Sequence, residues 1–194
     1  GEITRRVLSL DLVQKTGINK EYDRETTLRD TDTKHWNKLT DNDSLGNVKY
    51  ADGSTAKDKL VANDGTSFAI TSSYRNDANT LDDKDVKYNG TVVDDKKIQY
   101  NIAITGGDVN NYSFDGTTSA ASGLELSATG KITPKDLSGA FDKVTKEYDG
   151  TTNVPSLRVR FKTGAVIAGD TVSLATHNEV FQSANVNGDG TTLM

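Results

Sequence analysis

Asn185-Val186-Asn187-Gly188-Asp189-Gly190 places oxygen-bearing side chains at the first, third and fifth positions of a short segment and a glycine at the sixth. This is the opening half of a calcium loop, in which hard oxygen ligands and a tight turn converge on one ion. Asn185, Asn187 and Asp189 are the candidate metal ligands. Two of the three are neutral amides, and a related segment earlier in the chain has Lys87 at the third position. The expected cofactor complement is therefore none, with calcium at this loop as the alternative. A second candidate is Trp36, the single tryptophan, with Asp41 and Asp43 shortly after it. Sugar faces stack on aromatic rings while polar groups meet their hydroxyls, so Trp36, Asp41 and Asp43 are candidate ligand-binding residues for a glycan. The competing reading makes Trp36 the plug of a small local core. The acidic runs Asp41-Asn42-Asp43 and Asp82-Asp83-Asp85 are of the kind that usually forms solvated loop surface.

Catalytic chemistry finds no frame. His35 and His177 are the only histidines, and neither sits in a nucleophile elbow or an H-E-x-x-H pattern. With no cysteine, thiolate metal sites, cysteine nucleophiles and disulfide frameworks are excluded. The expected class is non-enzymatic. A net charge of −5 with scattered Lys and Arg argues against a nucleic-acid partner. No apolar run approaches the roughly 20 residues of a membrane span, so no membrane insertion is expected.

The elements that must carry these residues read as strands joined by turns. Leu8, Leu10 and Leu12 alternate with Ser9 and Asp11; Ile98, Tyr100, Ile102 and Ile104 alternate with Gln99, Asn101, Ala103 and Thr105; Leu157, Val159 and Phe161 alternate with Arg158, Arg160 and Lys162. Period-two alternation gives one buried and one wet face, the pattern of an antiparallel sheet. Asp52-Gly53, Asp64-Gly65, Asn89-Gly90, Gly106-Gly107, Asp115-Gly116 and Asp149-Gly150 suit turns that need positive φ. A short helix or turn is expected only around Asp32 to Leu39. The fold class is all-β.

The chain also repeats itself. Lys20-Glu21-Tyr22-Asp23 returns as Lys146-Glu147-Tyr148-Asp149, followed by Gly150-Thr151-Thr152. Gly1-Glu2-Ile3-Thr4 aligns with Gly130-Lys131-Ile132-Thr133 at an offset of 129, Leu60 to Asp64 with Val166 to Asp170 at 106, and Asp85-Val86 with Asn185-Val186 at 100. Falling offsets in conserved order mean that the first copy carries extra residues. The expected domains are 1–129, with an insertion near 24–59, and 130–194. Residues 94–129 have no counterpart in the second copy, which is expected to be truncated within a longer protein. Its open edge would be left poorly ordered, completed by another chain, or closed by residues that the alignment does not pair. Tyr22, Asp23, Tyr148, Asp149 and Gly150 form the repeated structural motif. The tyrosine rings are expected to pack in the core, and Asp149 to accept from backbone amides near Thr151. Arg24-Glu25 stands where the second copy has Gly150-Thr151, which questions whether the first copy makes the same turn.

Tyr148-Asp149-Gly150-Thr151-Thr152, followed by Ala168-Gly169-Asp170-Thr171-Val172-Ser173-Leu174, resembles the YDG-type repeats of very large bacterial surface proteins, filamentous-haemagglutinin-like adhesins among them. Gly107-Asp108-Val109-Asn110-Asn111-Tyr112-Ser113-Phe114 and Gly130-Lys131-Ile132-Thr133-Pro134-Lys135 look like the end of one such repeat and the linker to the next. The resemblance implies tandem Ig-like antiparallel β-sandwich modules, the second incomplete, in the exported stalk of an adhesin at the bacterial cell surface. The implied partners are neighbouring repeats of the same chain and, if the module binds, a host glycan or matrix protein.

Overall fold

The computed structural model describes residues 1–28, 47–141, 144–155, 159–175 and 179–185. The expected helix near Asp32, and with it Trp36, Asp41 and Asp43, lies outside the described residues, as do His35, His177, Asn187 and Asp189. The chain divides into two compact units, Gly1–Lys135 and Asp136–Met194. Among the described residues the regular structure is almost wholly strand, with three short 3-10 turns, so the protein is all-β. The sheets among the described residues are small; the largest has three strands.

That sheet organises the first unit. Lys96–Thr105 lies at its centre, antiparallel to Ser67–Tyr74 on one side and Leu124–Gly130 on the other. The alternation of the central strand dictates its faces: Ile98, Tyr100, Ile102 and Ile104 are buried, while Lys97, Asn101 and Thr105 are exposed. Extended backwards, the same alternation puts Lys96 on the apolar face, a position that the hydrophobic pattern alone does not flag. Against this face pack Leu10 and Leu12 from the strand Leu10–Leu12 and Val48 and Tyr50 from its antiparallel partner Val48–Tyr50; Tyr74, from the neighbouring strand of the sheet itself, is buried in the same core. The open end of the pair Ser67–Tyr74 and Lys96–Thr105, where Ser67 faces Thr105, needs a glycine at 106: φ is +120° there, and a Cβ would stand 2.1 Å from the Gly65 carbonyl oxygen.

Two further pairings in the first unit are parallel and join residues far apart in sequence. Arg6–Val7 runs beside Tyr112–Ser113, and Lys20–Glu21 beside Ile132–Thr133. The second closes the unit around Ile132, which is fully buried. Ile132-Thr133, where the repeat alignment starts its second copy, is thus a strand of the first compact unit.

The second unit repeats part of this arrangement. Gly139–Phe141 pairs antiparallel with Val159–Phe161 as Leu10–Leu12 pairs with Val48–Tyr50, with Gly139 opposite Phe161 where Leu10 is opposite Tyr50. The backbone bond from Ala51 N to Ser9 O, 2.9 Å, returns as Lys162 N to Ser138 O, 2.9 Å. A bridge Thr27–Ser73 returns as Asn153–Val180. These pairings refine the repeat. The offset is 126 at Lys20 and Lys146 but 111 at Val48 and Val159, so about 15 extra residues of the first copy fall between Thr27 and Val48.

Candidate functional site

The most chemically distinctive arrangement among the described residues is the turn built twice from Lys-Glu-Tyr-Asp. In the first unit, Lys20 Nζ donates to Asp23 Oδ1 at 2.8 Å, to the Glu25 carbonyl at 2.6 Å and to the Thr27 carbonyl at 2.9 Å. Asp23 Oδ1 also accepts from the Glu25 amide at 2.9 Å. The two side chains are only 7% and 14% exposed. The ammonium lies 5.5 Å from the centre of the Tyr74 ring, whose hydroxyl donates to the Ile18 carbonyl at 2.6 Å. An ammonium has three protons, and here all three have oxygen acceptors.

The second unit reproduces this turn around Lys146. Its Nζ donates to Asp149 Oδ1 at 2.8 Å, to the Thr151 carbonyl at 2.8 Å and to Thr151 Oγ1 at 3.0 Å. Asp149 Oδ1 accepts from the Thr151 amide and hydroxyl, both at 2.9 Å. The ammonium lies 5.5 Å from the Phe181 ring centre, so Phe181 takes the place of Tyr74. The bond from Tyr74 N to Thr26 O, 2.9 Å, likewise returns as Phe181 N to Thr152 O, 2.8 Å. The Lys146 ammonium, first, and the Thr151 amide hold the Asp149 carboxyl down at about 2.

Arg24 answers the question raised by the missing glycine. Its φ is +69°, against +78° at Gly150, so the first copy makes the same left-handed turn with a side chain in place. That conformation costs an L-residue roughly 1–2 kcal/mol, which the buried Lys20–Asp23 network around it offsets.

The two tyrosines part company. Tyr22 packs against the first unit's core, with the Lys84 ammonium 6.0 Å from its ring. Tyr148 is 63% exposed, contrary to the expectation that both rings pack inward. In the first unit the strand Ile132–Thr133 lies beside Lys20–Glu21. No described strand lies beside Lys146–Glu147 in the second.

The other acidic candidates are engaged singly. Asp82 pairs with Arg75 at 2.5 Å and accepts from Ser73 at 2.7 Å; Asp85 pairs with Lys84 at 2.9 Å. Asp83 pairs with the buried Lys96, which also donates to the Asp85 carbonyl at 2.7 Å. Burial pushes the Asp83 carboxyl up, but the Lys96 ammonium and the Asp85 amide outweigh it and the net shift is downward. Three carboxylates that each face a different cation do not converge on one ion. Among the described residues no group of three or more His, Asp or Glu side chains is placed to hold a metal. Of the loop at Asn185, only Asn185 is described; its amide donates to Ser183 Oγ at 3.0 Å. An open cleft of about 780 Å³ in the first unit is lined by Arg5, Asp64, Asn110 and Tyr112 among others. Arg5 spends its guanidinium on the Asn110 and Thr117 carbonyls at 3.0 and 2.7 Å, and Asp64 is bonded by Tyr112 and Thr66.

Residues 133–194 match the family described as the YDG domain. No curated protein and no solved structure matches the chain. The matched residues hold the second Lys-Glu-Tyr-Asp turn and its Phe181 cover; the first turn, at Lys20–Asp23, lies outside the match and shares with it the lysine-to-aspartate bond and the bond to that aspartate from the amide two residues on.

Proposed function

We propose that the chain is a run of non-enzymatic structural repeats, YDG-type in both copies, acting as a spacer in the stalk of an exported bacterial surface adhesin. Each copy is a variation on an Ig-like antiparallel β-sandwich, and the array holds a more distal binding region away from the cell. The observation that carries this reading is the repeated turn. In both copies the ammonium and the carboxylate are bonded to each other and to adjacent groups of the same loop, which fixes that loop. The YDG match of residues 133–194 supports the repeat class. The bacterial surface setting rests on the resemblance of the motifs alone.

Pulling the chain end to end by single-molecule force spectroscopy tests the spacer. Discrete unfolding events at forces above the entropic stretching of the backbone are expected. Featureless extension would count against it. The second reading, a carbohydrate- or matrix-binding module, is supported by the extra residues between Thr27 and Val48, which hold the one tryptophan and the Asp41-Asn42-Asp43 run. Trp36→Ala separates the two: loss of glycan binding at unchanged Tm would favour the binding module, and a fall in Tm alone would favour Trp36 as a plug.

A further inference from the structure

We propose that the parallel contact between residues 15–22 and 129–135 of the first unit is a mechanical clamp, which takes the load when the chain is pulled lengthwise and shields the sheet enclosed between its two halves. The inference rests on the spacer reading and names the residues that carry the force. In a parallel pair both strands start at the same end. Tension that draws the earlier strand back toward its start and the later one on toward its end slides them past each other, so the bonds that cross between them are strained together. In an antiparallel pair the start of the earlier strand lies beside the end of the later one. The same tension then pulls both from one end and opens the bonds one after another. Ser67–Tyr74 with Lys96–Thr105, and Lys96–Thr105 with Leu124–Gly130, are antiparallel and would unzip. Lys20–Glu21 with Ile132–Thr133 is parallel and must shear. Ser67–Tyr74 and Lys96–Thr105 fall between Tyr22 and Thr129 in the chain, so lengthwise tension is carried across the parallel contact before it reaches their ladder.

The contact is densely bonded along its length. Thr129 N–H donates to the Lys15 carbonyl at 2.8 Å, Ile18 N–H to the Thr129 carbonyl at 3.2 Å, Lys20 N–H to the Lys131 carbonyl at 2.9 Å and Tyr22 N–H to the Thr133 carbonyl at 2.8 Å. Side chains add to these. Lys131 N–H donates to Asn19 Oδ1 at 2.8 Å, Thr133 Oγ1 to the Lys20 carbonyl at 3.2 Å and Lys135 Nζ to Glu21 Oε1 at 3.1 Å. Two features oppose sliding directly. Ile132 is 0% exposed, held in the core, and Gly130 crosses Ile18 so closely that a Cβ would stand 1.6 Å from its carbonyl oxygen. The earlier strand is fastened in turn to the sheet behind it. Lys20 Nζ ties down the 23–27 loop, Tyr74 N–H donates to the Thr26 carbonyl at 2.9 Å, and Thr27 bridges Ser73. In the first unit the lysine turn is the anchor of the clamp.

Two matched pairs of substitutions at exposed residues test this on the full chain held at constant force. Asn19→Ala with Thr133→Val removes two side-chain bonds from the clamp. Ser67→Ala with Thr105→Val removes the hydroxyl contacts at the open end of the shielded sheet. The step of the first unit is recognised by its length, roughly 350 Å for the chain between Tyr22 and Thr129 at about 3.3 Å per residue. Both variants are expected to lower the urea midpoint to a similar, small extent. Under force the clamp variant should lose about ten-fold or more in lifetime, as two bonds are lost under load, while the sheet variant stays within about two-fold of the unsubstituted chain. Lifetimes that fall equally in the two variants, that fall in the sheet variant alone, or that change in neither would overturn the clamp; a discrete first-unit step in the same traces leaves the spacer reading standing. A lifetime loss matched by an equally one-sided loss in urea midpoint marks an ordinary structural role and overturns the clamp as well. Featureless extension would overturn both.

Discussion

Lys20 and Lys146 each bond an aspartate and a backbone carbonyl, with a second carbonyl for Lys20 and the Thr151 hydroxyl for Lys146, and their removal should separate burial from geometry. Lys20→Met strands Asp23, 14% exposed, together with the Glu25 and Thr27 carbonyls. Breaking a buried pair from one side costs roughly 3–5 kcal/mol. Asp149 is 55% exposed and water replaces its lost partner, so Lys146→Met should cost about 1 kcal/mol or less. Urea titrations of the two variants measure both. A second residue-scale prediction concerns alkali. Burial holds the Tyr100 hydroxyl up at about 12, and burial also raises that of Tyr74. A folded pKa raised above the unfolded value of about 10 gives stability that is complete below pH 10 and drains away as pH rises toward 12. Denaturant midpoints measured from pH 8 to 11.5 should hold until about 10 and then fall. Asn47 Nδ2, which donates to the Tyr100 hydroxyl at 2.9 Å, is part of the same buried network, and no pattern in the sequence marks it.

At the level of strands, what could be read from the chain was set by how local the signal is. Ile98, Tyr100, Ile102 and Ile104 announce their strand because alternation is a property of neighbours, and Leu10, Leu12, Val159 and Phe161 do likewise. Ser67–Tyr74 was not legible, since Ser72 and Ser73 are buried polar residues that break the period. The parallel pairing of Lys20–Glu21 with Ile132–Thr133 joins segments whose proximity only the folded chain creates. The equivalence of Tyr74 and Phe181 is hidden for the same reason: the two share an aromatic ring over a lysine but not their flanking residues. Of the candidate site, the Asp149 turn was legible because an Asp two residues before an amide makes a local bond, whereas Lys96 beneath Asp83 was not. The isoleucines test the strand assignment. Ile132→Ala should cost about 2–5 kcal/mol as a fully buried aliphatic truncation. Ile3→Ala should stay within about 0.5 kcal/mol in dilute solution. Equal effects in thermal unfolding of the two variants would contradict the assignment of Ile132 as the closing strand residue.

Across the whole molecule, the two units differ in how much they bury. The first holds a core that runs from Leu8 to Ile132; in the second, Ala165 and Phe181 are the buried apolar side chains among the described residues. Burial of apolar area is what offsets chain entropy, so the second unit should open first. Hydrogen exchange read by mass spectrometry along a denaturant series should show residues 136–185 losing protection at lower denaturant than 96–105, and a single concerted loss would contradict this. The central claim is that the repeats space and do not bind. It is tested most directly by screening the full chain against glycans and matrix proteins, once with calcium and once with chelator. No saturable binding in either condition is predicted; saturable binding to one ligand class, or binding that appears only with calcium, would contradict the account.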